Sequence, residues 1–453
     1  MGAHDRIPPI QQTPGKSTVT FIGGAFRNST LRPDHESRPP VDSMNKNGIL
    51  LEVVQVLSDL DLTILKAYIT SDGGWFMDVF HVLDKKGQKV TDEKTIEYIE
   101  KALGPGSNIP SAKKGSTSPG RSVGMHSIGD HTAIELKGPD RTGLLSEIFA
   151  VLADLECNVM AAEVWTHKTR VACVVYVNDV STGQAIDDPC RQSGIEERLR
   201  HVLRGHGGDD DGGRGAHTNF AVESTHVDRR LHQLMHADME FYEGALQGDA
   251  AAADGTAVTV EHCEEKAYSV VNVRCRDRPK LLFDIVCTLT DMQYVVFHAA
   301  VTSDGIYGIQ ELYIRRKDGR TLLKDEAEKV IKYLEAAISR RVSEGFTLEL
   351  CGRDRVGLLS DVTRVLREHG LTVTRADVTT VGEQAMNVFY VRDASGQPVD
   401  MKTIEGLRGQ VGQTVMLNVK TVPDAVMAPE QAGSSMAKTN FFSFGGLFSK
   451  LRV

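Results

Sequence analysis

The chain has 453 residues, 41% of them hydrophobic and 25% charged, with a formal net charge of −9 at pH 7. Those fractions belong to a soluble globular protein with room for about three or four ordinary domains, and the acidic balance excludes the basic footprint of non-specific nucleic-acid binding. No apolar run is long enough to span a bilayer, and seven cysteines without a C-x-x-C pair argue against a disulfide framework or a zinc site and for a reducing compartment.

In chain order, residues 1–40 read as a disordered segment. Positions 1–33 hold one acid, Asp5, among several Arg, Lys, Ser and Thr, a weak likeness to an organelle transit peptide. A first module occupies 41–103. Apolar residues at 49, 50, 53, 54, 57 and 60 form a helical stripe. Positions 62–70 and 75–83 read as strands around the hairpin signal Ser71-Asp72-Gly73-Gly74, and 91–103 as a charged helix. Only Val41-Asp42-Ser43 precedes the first helix's loop, behind Pro39-Pro40, and proline cannot donate to a ladder. Positions 18–22 could add a strand only through a long polar connection, so an incomplete sheet is expected here.

A flexible linker, 104–120, leads to a second module at 121–204, with strands at 133–136, 159–166 and 170–177 and helices at 144–155 and 195–203. The segment 205–257 reads as a linker, disordered over 205–215. It carries a helix at about 226–246, marked by Leu231, Leu234, Met235 and Met239 at helical spacing. The third module, 258–341, repeats the order with strands at 269–273, 295–302 and 307–314 and helices at 281–289 and 325–338. The fourth, 345–421, does so with strands at 347–350, 371–379 and 385–391 and helices at 358–366 and 401–407, and adds a trailing strand at 415–419. In the second and third modules, leading strands at 122–126 and 258–263 are expected to fill that same place in the sheet. No linker separates the last two modules, so they are expected to pack as a rigid pair. The tail, 422–453, is polar until Phe441-Phe442-Ser443-Phe444, which is either a docking segment or a hydrophobic end.

One motif opens the first helix of every module. It reads Gly-Pro-Asp-Arg-Thr-Gly-Leu-Leu-Ser at 138–146 and Gly-Arg-Asp-Arg-Val-Gly-Leu-Leu-Ser at 352–360. At 275–283 it is Cys-Arg-Asp-Arg-Pro-Lys-Leu-Leu-Phe, and at 44–51 a weaker Met-Asn-Lys-Asn-Gly-Ile-Leu-Leu. From the loop to a closing glycine (Gly87, Gly183, Gly319, Gly396) the separation is 39 or 40 residues each time. The repeat defines an α+β chain of four ferredoxin-like βαββαβ modules, with antiparallel sheets and helices on one face.

The turn has binding chemistry. Its Asp can cap the helix, and its Gly allows a strained angle or a close approach. The helix start presents unpaired N–H groups and positive dipole, which suit a carboxylate. An α-amino acid brings that carboxylate together with an ammonium for a side-chain carboxylate. The same turn is also ordinary capping that folding needs without any ligand. Catalytic signatures are missing: there is no G-x-x-x-x-G-K, G-x-G-x-x-G, H-E-x-x-H or G-x-S-x-G, and His262-Cys263-Glu264 has no P-C-x-x-C partner. No cofactor is implied. His232 and His236 stand four apart on the linker helix, but with no third ligand they read as an exposed helical face rather than a metal site.

Asp-Arg-x-Gly-Leu-Leu-Ser opening such a unit resembles the ACT domain, and 277–284 also resembles the C-terminal ACT pair of bacterial uridylyltransferase/uridylyl-removing enzymes. Four modules, with Asn45-x-x-Gly48-Ile-Leu-Leu-Glu-Val-Val-Gln-Val-Leu57 and Ser71-Asp-Gly-Gly-Trp-Phe-Met-Asp-Val-Phe80, are similar to the plant ACT-domain-repeat (ACR) family over roughly 41–420. The resemblance implies side-by-side module pairs and a non-enzymatic regulator. Free amino acids would sit between the helix-start loop of one module and a strand of its neighbour; an interaction scaffold that binds protein partners or itself without a ligand is the alternative. The ligand contacts it implies are Asp140, Arg141, Gly143 and Leu144; Asp354, Arg355, Gly357 and Leu358; Asp277; and Asn45 with Gly48. Lys280 replaces the third module's glycine, where it either blocks a backbone approach or offers a cation to a carboxylate. Partners would not include nucleic acid or membrane, and the location would be cytoplasm or nucleus, with a plastid as a further possibility.

Overall fold

The structure is a computed structural model that describes residues 17–22, 25–28, 49–72, 75–103, 127–128, 130–167, 169–204, 217–220, 226–242, 256–263, 265, 267–318, 322–341, 346–394, 399, 401–411 and 415–421. The chain divides into two units, Met1–Ser111 with Gly248–Ile338 and Ala112–Gln247 with Ser339–Val453. The expected rigid pair of third and fourth modules is therefore corrected: the first module pairs with the third, and the second with the fourth.

In the first unit, the first module supplies α1 (Ile49–Asp59), β3 (Thr63–Asp72), β4 (Trp75–Leu83) and α2 (Glu93–Leu103), preceded by β1 (Ser17–Ile22) and β2 (Ala25–Asn28). The third supplies β10 (Ala257–Cys263), β11 (Tyr268–Arg276), α6 (Leu281–Asp291), β12 (Tyr294–Ser303), β13 (Tyr307–Arg316) and α7 (Lys324–Ser339). They share one sheet in the order β10-β11-β13-β12-β3-β4-β1-β2. The joint is an antiparallel ladder from His298 opposite Thr70 to Thr302 opposite Lys66. A sheet edge is a row of unpaired backbone groups, and pairing two edges satisfies both. The leading strand expected at 258–263 is β10, hydrogen-bonded to β11. The first module's sheet is not incomplete: β1 pairs with β4, Ser17 to Ile22 against Val82 to Met77, and β2 extends it. Part of the segment expected to be disordered thus supplies the missing strand.

The second unit repeats the plan. It is built from β5 (Ser127–Ile128), β6 (His131–Pro139), α3 (Leu144–Asp154), β7 (Cys157–His167), β8 (Arg170–Asp179), α4 (Pro189–Arg204), β9 (His217–Phe220) and α5 (Val227–Tyr242). The fourth module adds β14 (Phe346–Arg353), α8 (Leu358–Glu368), β15 (Leu371–Val381), β16 (Gln384–Asp393), α9 (Met401–Val411) and β17 (Val415–Thr421). Strand order is β17-β14-β16-β15-β7-β8-β6-β5, joined where Arg375 to Thr379 lie opposite Trp165 to Ala161. In the second module the outer place beside β6 is taken mainly by β9, Ile134–Lys137 pairing with Phe220–His217, and only briefly by β5. The expected leading strand at 122–126 falls outside the described residues, as do the linkers at 104–120 and 205–215 and the tail; β9 lies inside the segment read as linker. Helix α4 starts six residues earlier than expected. Asp188 accepts the Cys190 and Arg191 N–H groups at 3.3 and 3.1 Å, with Pro189 at the first helical position.

Each pair has one continuous core. In the second unit, Ile134 and Leu136, Val164, Val175, Leu348, Ala376 and Phe389 face α3, α4, α8 and α9. Alternate residues face the other side of the sheet, as strand geometry requires. There the linker helix α5 packs, Leu231, Leu234 and Met235 against Trp165, Ala172 and Val174. So helices cover both faces near β8, which is why β8 reads Val-Ala-Cys-Val-Val without polar alternation. His232, expected on an exposed face, is 2% exposed and meets Trp165 edge-on, with ring centroids 5.2 Å apart. Arg230 makes two 2.6 Å bonds to the buried Glu135 carboxylate. Arg341 donates to Asp228 at 2.8 Å and lies 4.2 Å over the Trp165 ring.

The Arg341 and Asp228 side chains are 3% and 1% exposed. Removing one partner of a buried pair strands the other charge, at about 3–5 kcal/mol. Asp228→Ala is expected to destabilise the second unit by that amount in urea denaturation, more than Leu231→Ala at about 2–5 kcal/mol less any relaxation of the helix.

Candidate functional site

The repeated loop folds the same way in its three described copies. The strand's last turn is closed by the Asp N–H: Asp140 donates to Thr169 O, Asp277 to Ile306 O and Asp354 to Glu383 O, at 2.7, 2.8 and 2.7 Å. Three residues on, the chain takes a left-handed conformation, with φ +87° at Gly143, +63° at Lys280 and +81° at Gly357. The helix follows at once. Glu147, Asp284 and Asp361 donate their N–H groups to the carbonyls of those three residues. The glycine is therefore a conformational requirement, and Lys280 meets it against the steric cost of a Cβ.

In place of the expected Asp cap, the N-cap positions are Gly143, Lys280 and Gly357, which make no side-chain cap, and the first helical N–H goes to the carbonyl of Arg141, Arg278 or Arg355. Asp277 accepts the Arg278 N–H at 2.9 Å and the Ser303 hydroxyl. Asp140 is pushed up to about 6 by burial, against the opposing pull of the Arg141 N–H and the Arg392 and Arg141 charges. Each helix presents the positive end of its dipole at the loop, with its first N–H, that of Leu144, Leu281 or Leu358, already donated to the carbonyl of the motif arginine.

The motif's arginine is spoken for. Arg141 binds Glu147 with two 2.5 Å bonds and reaches Val202 O at 3.1 Å in α4. Arg278 pairs with the buried Asp284 at 2.7 Å and donates to Ile338 O at 2.8 Å. Arg355 pairs with Asp361 at 2.5 Å on the surface. Each arginine ties its loop to an acid six residues on, and in the second and third modules also to the last turns of the module's second helix. The sequence signal for that role is the acid, present in all three copies.

Two clefts lie at these loops, each inside a pair. In the first unit, a cleft of about 450 Å³ lies between 277–283 of the third module and Ser58 with 62–64 of the first, and Ser303 and Gln310 also line it. In the second unit, a cleft of about 300 Å³ lies between Arg141 with 143–146 of the second module and Thr363, Leu366, Arg367 and 371–373 of the fourth. Leu62-Thr63-Ile64 and Leu371-Thr372-Val373 are equivalent positions in the repeat, so the two clefts are the same place in two pairs. Across the second, the Thr142 and Thr372 hydroxyls are 3.3 Å apart.

The residues expected as contacts divide accordingly. Arg141, Gly143, Leu144 and Asp277 line the clefts, and Asp140 sits beside one without lining it. Asp354, Arg355, Gly357 and Leu358 line neither cleft, and a Cβ on Gly357 would meet nothing within 4 Å. Asn45 and Gly48 lie outside the described residues. Lys280 lines the larger cleft instead of closing it. Over Gly143 the close approach is already made by the protein: a Cβ there would stand 2.4 Å from Arg367 Cδ. Ser58, Thr63, Ser303, Gln310, Arg367 and Thr372 were not legible as site residues, because each belongs to a strand or a helix end away from the motif. Among the other residues singled out, His262 bonds Ser269 at 2.9 Å between adjacent strands.

Left-handed backbone costs a non-glycine residue about 1–2 kcal/mol. Gly357→Ala, in open space, is expected to cost about that much. Gly143→Ala should cost more, since Arg367 must also move. Lys280→Gly should raise stability by up to about 1 kcal/mol. Urea midpoints of the three variants check the order.

Comparison with known proteins follows the repeat. A family model described as the ACR family N-terminal ACT domain matches residues 39–109, and one described as the ACT domain matches 132–189, 269–335 and 346–409. The ACT domain-containing protein ACR3 of Arabidopsis thaliana is 62% identical over 418 residues, 91% of this chain and 91% of its own length. ACR4 of the same plant is 54% identical over 413 residues, 90% of this chain and 88% of its own. The bifunctional uridylyltransferase/uridylyl-removing enzyme of Bradyrhizobium diazoefficiens is 41% identical over 75 residues, 17% of this chain and 8% of that one.

Proposed function

The chain belongs to the ACR family of ACT-domain proteins, and from that premise we propose that it is a non-enzymatic regulatory protein that binds free amino acids in the clefts between its paired modules. The observation that carries this is the coincidence of three features in each cleft: a helix N-terminus, a loop carboxylate in or beside it, and polar groups from the neighbouring module. The helix N–H groups hold the α-carboxylate, with Lys280 adding a cation in the first unit. Asp277 or Asp140 faces the ammonium. Because each cleft has one wall from each module, a ligand binds the closed arrangement of the pair better than an open one and shifts the pair toward it. The response would pass to a partner protein or a second copy. Among the described residues no helix is long and apolar enough to cross a membrane. The seven free thiols suit a reducing compartment, cytoplasm or nucleus.

A scaffold that works without ligand has its own support. Arg367 already fills the space over Gly143, and Arg141 is saturated, so both are explained by folding alone. The two readings differ in one measurement. Under the sensing reading, a screen of the common amino acids at millimolar concentration raises the melting temperature with at least one of them. If none does, the scaffold reading stands.

Asp140 gives the pH dependence its sign. An ammonium needs the carboxylate, and in the free protein burial holds this group at about 6. Affinity in the second–fourth cleft is therefore expected to be flat above that pH and to fall about tenfold per unit below it. Asp140→Asn should weaken binding at pH 7 and remove the dependence; calorimetric titrations from pH 5 to pH 8 read both.

A further inference from the structure

One position recurs in all four modules without being part of the loop motif. Counting 33 residues from Asn45, Asp140, Asp277 and Asp354 reaches Asp78, Cys173, Gln310 and Asn387. Their registers agree: they lie opposite Ile69, Val164, Val301 and Val378, each on the helix-facing side of its sheet. All four are buried, at 2, 1, 3 and 3% exposure. Three are polar at a place where the alternation of the strand calls for an aliphatic residue.

Of the four, Gln310 alone lines one of the two clefts. Its Oε1 is buried and has no hydrogen-bond partner. An amide oxygen shut away from water without a donor is costly, and an aliphatic residue of the same size would avoid the cost. Leu62, Ile64, Leu282 and Val301 line the cleft together with Ser58, Thr63, Thr302 and Ser303. Its acceptor is therefore one of several polar groups set among aliphatic ones, and such placed groups are how a small-molecule site fixes specificity.

We infer that the first–third cleft selects a ligand whose side chain ends in a neutral hydrogen-bond donor, a hydroxyl or a carboxamide, and that Gln310 is the residue that reads it. This rests on the amino-acid reading above. With the carboxylate at the start of α6 beside Lys280 and the ammonium toward Asp277, the side chain is what remains to meet Gln310 Oε1. A ligand of the same shape without the donor leaves that oxygen unpaired and is rejected, whereas a site lined by aliphatic groups alone would separate the two poorly.

Matched ligands test it on the full chain. Threonine and valine differ by a hydroxyl for a methyl; asparagine and leucine differ by a carboxamide for an isopropyl group. In calorimetric titrations the donor member of at least one pair is expected to bind about tenfold more tightly, and which pair does so tells hydroxyl from carboxamide. Gln310→Met, close in length and volume, is expected to abolish that difference while keeping or raising the melting temperature. Gln310→Asn, the side chain the fourth module carries here, draws the acceptor back by one methylene and should weaken the preference with the fold intact. Equal affinities within both pairs for the unmodified chain overturn the inference, as does a preference undiminished in either variant; both outcomes leave amino-acid binding standing. Absence of binding by all four ligands and by every other amino acid removes the sensing reading as well.

Discussion

Edge pairing of the modules' second strands is the constraint on which the rest depends. A four-stranded module exposes β3, β7, β12 or β15 as a full-length edge, and an unpaired edge invites association with any other. Here the edges are consumed inside the chain, β3 with β12 and β7 with β15. The same pairing sets α1 against α6 and α3 against α8, merges each pair's apolar residues into one core, and brings the end of one module's first helix over the other's loop. The clefts exist because of that last step. Their lining is complete only when two modules pair, so any ligand there acts on the pair.

The loop is a structural device. Its left-handed residue turns the strand into the helix, and its Asp N–H closes the adjacent hairpin. Its arginine clamps the first helix, and in the second and third modules reaches the C-terminal end of the second helix. These tasks use most groups of the motif, and even the first helix N–H and the Asp277 carboxylate take part in the loop's own hydrogen bonds. The polar groups opposite, Thr63 or Thr372, come from strands whose position the edge pairing fixes. The linker helix α5 is held by comparable means on the far face of the second unit's sheet, through three apolar side chains and two buried ion pairs. It is a part of that unit's fold and not a spacer.

Local features were legible in the sequence. The loop motif, its constant spacing to a closing glycine and the helix and strand periods yielded the four modules, and most elements begin and end within a few residues of expectation. Partner choice was not legible. The short connection after α7 tethers it to β14, and neither lies at the edge that pairs, so chain proximity carried no information about β12 and β15. Strands supplied from a distance are harder to place: 18–22 reads as a possible strand but is not counted into the sheet, and β9 does not read as a strand. β1 stands 27 residues before α1 by the positions Ile22 and Ile49, and β9 follows a Gly-rich and acidic run, so neither adjoins the module it completes. Gln310 was missed for a different reason. Its signal, a polar residue of inward parity at the same place in Asp78, Gln310 and Asn387, shows only when the four copies are aligned on their loops.

Amide hydrogen exchange of the full chain, with and without a saturating mixture of the common amino acids, tests most directly whether ligands act at the joints between alternate modules. Protection should rise at 277–283 together with 62–64, and at 141–146 together with 371–373, while the outer strands β10 and β17 stay unchanged. Unaltered exchange at both joints, or protection confined to one side of each, would contradict it.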